Sequence, residues 1–155
     1  MSHGGSFKKM QKNKQSPKQS KRIGNGRQKK NNSTKGITDA KLLKYLRDAA
    51  LERAGYRCEF PDCHVNYSQL HCHHIYHRSH ASLRYDLRNA IILCPTHHTL
   101  SGLSAHKNPD FKEILIAGGV RTADFFDQLR AERNRIQKNT QAWKDQCYDE
   151  LKAYL

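Results

Sequence analysis

An α+β fold is what this sequence predicts: a small core of two short strands and a helix, flanked by further helices and preceded by a disordered basic arm. Three observations carry that expectation. Apolar residues recur at helical spacing before residue 55 and again after residue 122, and short strand-like runs broken by Gly, Pro and Asn lie between them. The charge imbalance, meanwhile, is concentrated at one end of the chain.

That end is residues 1–36, which hold 11 of the 28 Lys and Arg and none of the 14 Asp and Glu. The rest of the chain carries 17 basic against 14 acidic residues, so most of the net charge of +14 belongs to the arm. Its apolar side chains are Met1, Phe7, Met10 and Ile23. So little apolar surface does not offset the entropy of ordering the segment, which predicts disorder. Two uses of such an arm are open: a solubilising tail, or a polycation that releases counterions from a phosphate backbone. No apolar run of signal-peptide length follows the basic stretch, and no window approaches a transmembrane span, so neither a secretory signal nor a membrane helix is expected.

The first helix is predicted from Thr38–Asp39, a good N-terminal pair, through Leu42, Leu43, Leu46, Ala50 and Leu51 to a stop at Gly55. From Tyr56 to about Tyr76 a hairpin is expected, its second strand running from Leu70 to Ile75. Ala90–Leu93 reads as a further strand, followed by a short helix from Pro95 to about Leu103, where proline suits the first turn. "NPDFKEIL" suggests another helix capped by Asn108 or Asp110. Residues 122–155 look helical with a break near Asn139–Thr140; Phe125, Phe126, Leu129 and Ile136 would bury one face, and Trp143, Cys147, Leu151 and Leu155 the next. The division is therefore 1–36, an arm; 37–107, a core domain with its preceding helix; and 108–155, a C-terminal helical extension.

Five cysteines stand at 58, 63, 72, 94 and 147, four of them among the histidines, a grouping that favours metal ligation in a reducing compartment over disulfides. Cys58 and Cys63 in "CEFPDC" and Cys94 and His97 in "CPTH" form two close pairs separated by an intervening hairpin, the layout of a structural zinc site. The alternative is two buried cysteines and a surface histidine. Such an ion would hold a core-poor motif in one conformation. Cys147 sits in a Trp/Cys/Leu stripe and is assigned to packing; Cys72, by strand alternation, packs beside the hairpin with Leu70 and His74, while His71 and His73 face the other way.

The run "CEFPDC...LHCHHI...DLRNAIILCPTHH" resembles the HNH nucleases over roughly residues 45–107, in the order His-His, Asn and Cys-x-x-[Cys/His]-His with spacings of fifteen and nine residues. The resemblance implies a ββα-metal nuclease core and an endonuclease that hydrolyses DNA phosphodiesters. Carried over, it implies His74 as the general base, His73 and His98 as ligands of one catalytic divalent ion (Mg2+, Mn2+, Ni2+ or Zn2+), and Asn89 as the residue holding the loop that carries His74 by backbone hydrogen bonds. The products implied are a 5′ phosphate and a 3′ hydroxyl. Where many such proteins have a second cysteine this chain has His97, so which of His97 and His98 serves which ion is open; spacing from Asn89 favours His98 for catalysis. His80 and His106 have two readings, surface or capping histidine, and third metal ligand or phosphate contact.

Arg78, Arg84 and Arg88 flank the implied ion and offer guanidinium forks to phosphate; the competing reading is a solvated loop with Asp86 pairing Arg84 or Arg88. No base-reading motif is visible. Within the resemblance the nearest likeness is to phage or prophage proteins, which implies a bacterial cytoplasm and a role in DNA processing or recombination. The other function carried forward is a non-catalytic zinc-stabilised nucleic-acid-binding module; an RNA-directed HNH enzyme is not separated from the DNA enzyme by sequence.

Overall fold

Thr38 opens the first helix as the spacing predicts, its hydroxyl accepting from the Lys41 amide at 3.3 Å. The computed structural model describes Met1, residues 36–66 and residues 69–155. The basic arm, expected to be disordered, lies outside the described residues. The described residues from 36 onward belong to one compact unit.

Helix α1 spans Asp39–Arg53 and buries Leu42, Leu46, Ala49, Ala50 and Leu51. It ends where Gly55 and then Tyr56 take left-handed backbone (φ 57° and 56°) and turn the chain back under the helix. Strand β1 (His71–His74) pairs antiparallel with β2 (Ala90–Leu93), His71 opposite Leu93 and His74 opposite Ala90. All four residues of β2 are buried, with α1 packed against the strand. Helices α2 (Phe111–Ala117), α3 (Ala123–Arg133) and α4 (Gln141–Lys152) follow, the last two opened by Thr122 and Thr140 caps. Packing of α4 on α1 sets Tyr148 edge-on against Tyr45 and places Lys144 2.5 Å from Asp39.

Four expectations change. The hairpin predicted from Tyr56 forms no strand over 56–66: Pro61 and the left-handed Asp62 make it a knuckle, in which the Cys58 amide donates to the Val65 carbonyl (3.1 Å) and the Glu59 amide to that of Ile92 (2.8 Å). β1 instead finds its partner in β2. The helix predicted to run to Leu103 is one wide π-type turn, Thr96–Leu100, closed by the Ser101 amide on the Thr96 carbonyl (2.9 Å). Ile136 and Leu155 are 93% and 60% exposed, because Ile136 falls in the connection between α3 and α4 and Leu155 beyond the end of α4. At α2, Asp110 precedes the helix without a side-chain cap, and Asn108 accepts from the Asp110 amide at 2.9 Å.

One carboxylate fastens these elements. Glu59 pairs with Arg53 of α1 (2.8 Å) and Arg121 ahead of α3 (2.7 Å), and it accepts from the Ile92 amide (2.7 Å). Arg53 also donates to the Leu87 and Ala90 carbonyls (2.7 and 2.8 Å). From the other side, the end of α2 leans on the knuckle so closely that a Cβ at Gly118 would overlap Pro61.

Breaking the Glu59 network leaves two arginines short of a partner in a poorly solvated position. Glu59→Ala is therefore expected to cost about 3 kcal/mol in urea unfolding; a loss below about 1 kcal/mol, the range of exposed ion pairs, would contradict this role.

Candidate functional site

The knuckle and the wide turn meet at the first of two side-chain clusters. Cys58 and Cys63 come from the knuckle, Cys94 ends β2 and His97 stands in the turn; one ligand atom of each lies within 4.8 Å of the others, and the four could hold a metal ion. His97 Nδ1 is 3.6 Å from Cys58 Sγ and 3.3 Å from Cys94 Sγ. Tetrahedral coordination with ordinary metal–sulfur and metal–nitrogen lengths gives ligand separations of about 3.3–3.8 Å, so the set fits one ion. The Cys94 amide donates to Cys58 Sγ at 3.2 Å, as expected for a sulfur that bears charge when bound. Burial pushes the Cys58 thiol up to about 12, a cost that a coordinated cation reverses. Phe60 stacks on His97 (centroids 3.9 Å apart, 7° between planes) and fixes its ring. Cys72 and Cys147 lie outside the cluster and pack in the core, as the sequence assigns them.

His98, the next residue of the turn, points to a different group. With His73 of β1 and His106 it forms a triad whose donor atoms also lie within 4.8 Å of one another. The two Nε2 atoms of His98 and His106 are 3.1 Å apart. That is the separation of two imidazoles ligating a common ion, about 2.0–2.1 Å from each. His106 reaches the site because the chain after the turn doubles back, its amide donating to the His98 carbonyl (3.3 Å) and that of Ala105 to the His97 carbonyl (2.9 Å). The structure thus separates His97 from His98, and of the two readings for His106 it shows a place beside His73 and His98. The sequence offers His80 and His106 equally as a third ligand and does not choose between them; the chain reversal that delivers His106 has no local signature beyond Gly102 and Asn108–Pro109.

Burial, first, and the neighbouring His106, His98 and His74 push the His73 imidazole down to about 4. His98 is lowered by burial and then by His106 and His71, whose ring lies parallel to it at 4.8 Å. Both therefore present neutral nitrogens at neutral pH, as ligation requires. His106 is exposed, which leaves the triad open to solvent.

His74 lies beside His73 in the chain but faces the following loop. Its Nε2 is 3.0 Å from the Arg84 carbonyl, which can only accept, so Nε2 carries the proton and Nδ1 the lone pair. Burial lowers its basicity, opposed by that same hydrogen bond. The loop of residues 75–89 is held from within by Asn89, which is fully buried. Its Nδ2 donates to the Tyr76 and Leu83 carbonyls (2.8 and 3.1 Å), and its Oδ1 accepts from the Tyr76 amide (2.7 Å).

Of the three arginines, Arg88 is committed to Asp86 through Nε and a second nitrogen at 3.1 and 2.6 Å, the solvated-loop reading for that residue. Arg84 sends Nε to the Arg78 carbonyl (2.9 Å) and lies 3.6 Å from Asp39. Arg78 is exposed. His80 precedes the short turn Ala81–Leu83 without capping it and joins neither cluster. Among the described residues, no helix is long and apolar enough to cross a membrane.

Two outcomes follow from this geometry. Cys58→Ser should release the ion of the first cluster and lower the melting temperature, whereas Cys72→Ser should leave metal content unchanged; equal metal content in all three proteins by elemental analysis would refute the four-residue site. Because His73 is less basic in the folded chain than its ordinary 6.5, the unfolded chain takes up protons first as pH falls. Stability is thus fully present above about pH 6.5 and declines towards about pH 4, and His73→Ala should flatten that decline in melting curves taken with only the first cluster loaded. No family model, curated protein or solved structure matches the chain.

Proposed function

We propose that this chain is a metal-dependent endonuclease of the HNH type that hydrolyses phosphodiester bonds in DNA, built on a structural zinc at Cys58, Cys63, Cys94 and His97. The observation that carries this reading is the convergence of His73, His98 and His106 at the end of β1, next to a histidine whose tautomer is set by a backbone carbonyl. A structural ion needs no second cluster, and a binding module needs no oriented imidazole. Three thiolates and one imidazole suit zinc in the first site; three neutral imidazoles in the second suit zinc or nickel better than magnesium, which prefers oxygen.

A divalent ion in the second site would supply positive charge to the phosphate and to the departing 3′ oxygen. His74 Nδ1 takes the proton of the attacking water as its oxygen bonds to phosphorus, and the P–O3′ bond breaks, the departing oxygen taking a proton from solvent, to give a 5′ phosphate and a 3′ hydroxyl. Asn89 keeps the loop from collapsing away from His74, since its amide occupies three backbone groups that would otherwise be free to rearrange. The basic arm adds a sequence-independent attraction to the DNA backbone.

The test is supercoiled-plasmid cleavage across Mg2+, Mn2+, Ni2+ and Zn2+. The wild-type protein should nick with at least one of them, and His74→Ala should lose about 10²–10⁴ of the rate while keeping its metal content and melting temperature. Nicking at the wild-type rate by His74→Ala would remove the base, and no cleavage with any ion would leave a zinc-stabilised nucleic-acid-binding module as the better reading.

A further inference from the structure

His77, Arg78, Ser79 and Arg84, with Tyr85, Leu43 and Asp39, line an open cavity of about 350 Å³. It is built for an anion. The Ser79 amide and hydroxyl both lie within reach of His77 Nδ1 (3.2 and 3.0 Å), which leaves Nε2 of that ring to carry a hydrogen outward. The one acid of the cavity, Asp39, is already neutralised by Lys144 and Arg84. The Tyr85 hydroxyl is buried beside Asp39 and Arg84 and forms no well-made hydrogen bond to either. The Arg78 side chain has neither a hydrogen bond nor an ion pair among the described residues, so its guanidinium is available to a ligand.

We infer that this cavity is a phosphate subsite, distinct from the histidine triad, that takes a nucleic-acid phosphate other than the one being cleaved through Arg78, Arg84 and His77. Arg84 joins it to the reaction, because the residue whose guanidinium lines the cavity is the one whose carbonyl accepts from His74. A phosphate seated there therefore steadies the backbone that orients His74. The phosphate is either an internal one flanking the scissile bond or the 5′ phosphate of an end; both present the same oxygens to the same donors. Only the identification of the ligand as nucleic acid rests on the nuclease reading.

The experiment uses the full-length protein holding one equivalent of zinc, in the cysteine cluster, with no further divalent ion added, and anisotropy of a 3′-labelled duplex made with and without 5′ phosphates. Arg78→Ala should weaken binding about fivefold to tenfold and reduce the slope of log affinity against log salt by about 1, with Arg78→Lys restoring the slope but not all of the affinity. Equal weakening on both duplexes identifies an internal phosphate; weakening confined to the phosphorylated duplex identifies an end. Wild-type affinity and slope in Arg78→Ala overturn the subsite. The two readings fail separately: loss of affinity in Arg78→Ala with no plasmid cleavage by the wild type upholds the subsite without the nuclease, and cleavage with unchanged binding refutes the subsite alone.

Discussion

Two consecutive histidines leave one turn for different partners, and the rest of the molecule is arranged around that divergence. His97 joins three cysteines; His98 joins His73 and His106. A regular α-helix after Pro95 would carry the chain onward along one axis, whereas the π-type closure at Thr96–Leu100 widens the turn and ends it, so that Ala105 and His106 can fold back onto the carbonyls of His97 and His98. An ion in the first cluster would then do more than staple the knuckle: by fixing His97 it would fix the backbone from which His98 departs.

Phe111 extends the same coupling into the helical part of the fold. It is buried at the start of α2, 6.1 Å from Phe60, which stacks on His97, and 6.4 Å from His73. One aromatic ring thus packs behind both clusters. Glu59 does the equivalent on the opposite side, joining the knuckle to α1, to β2 and to the segment ahead of α3. The helices after residue 107 are in this sense part of the site's foundation, since α2 bears on Pro61, α3 approaches the Ala81–Leu83 turn through the Ser82–Glu132 contact (2.8 Å), and α4 covers α1.

What was legible in the sequence was governed by local chemistry. Helix α1 and its Thr38 cap, strand β2 and the Thr140 break follow from periodicity and capping, which act over a few residues. Strand alternation correctly separated His73 from Cys72, and cysteine spacing grouped Cys58, Cys63, Cys94 and His97. The pairing of β1 was not legible, because the stretch over 56–66 has strand-like composition yet is bent by Pro61 and the positive φ of Asp62. Nor was the place of His106, which depends on a chain reversal set by backbone hydrogen bonds between residues eight apart. The exposure of Ile136 shows the limit of periodicity in the other direction: helical spacing continued on paper past the point at which α3 ends, at Arg133.

The claim on which all of this turns is that adjacent imidazoles serve separate ions, and cobalt reports it directly because thiolate ligands give Co2+ an intense charge-transfer band that imidazoles do not. Titrating metal-free protein with Co2+ should show two equivalents bound, the charge-transfer band growing with one of them only; His97→Ala should weaken that band, and His98→Ala should abolish the other equivalent while sparing it. A single equivalent in the wild type, or one whose loss follows either substitution alike, would contradict the account.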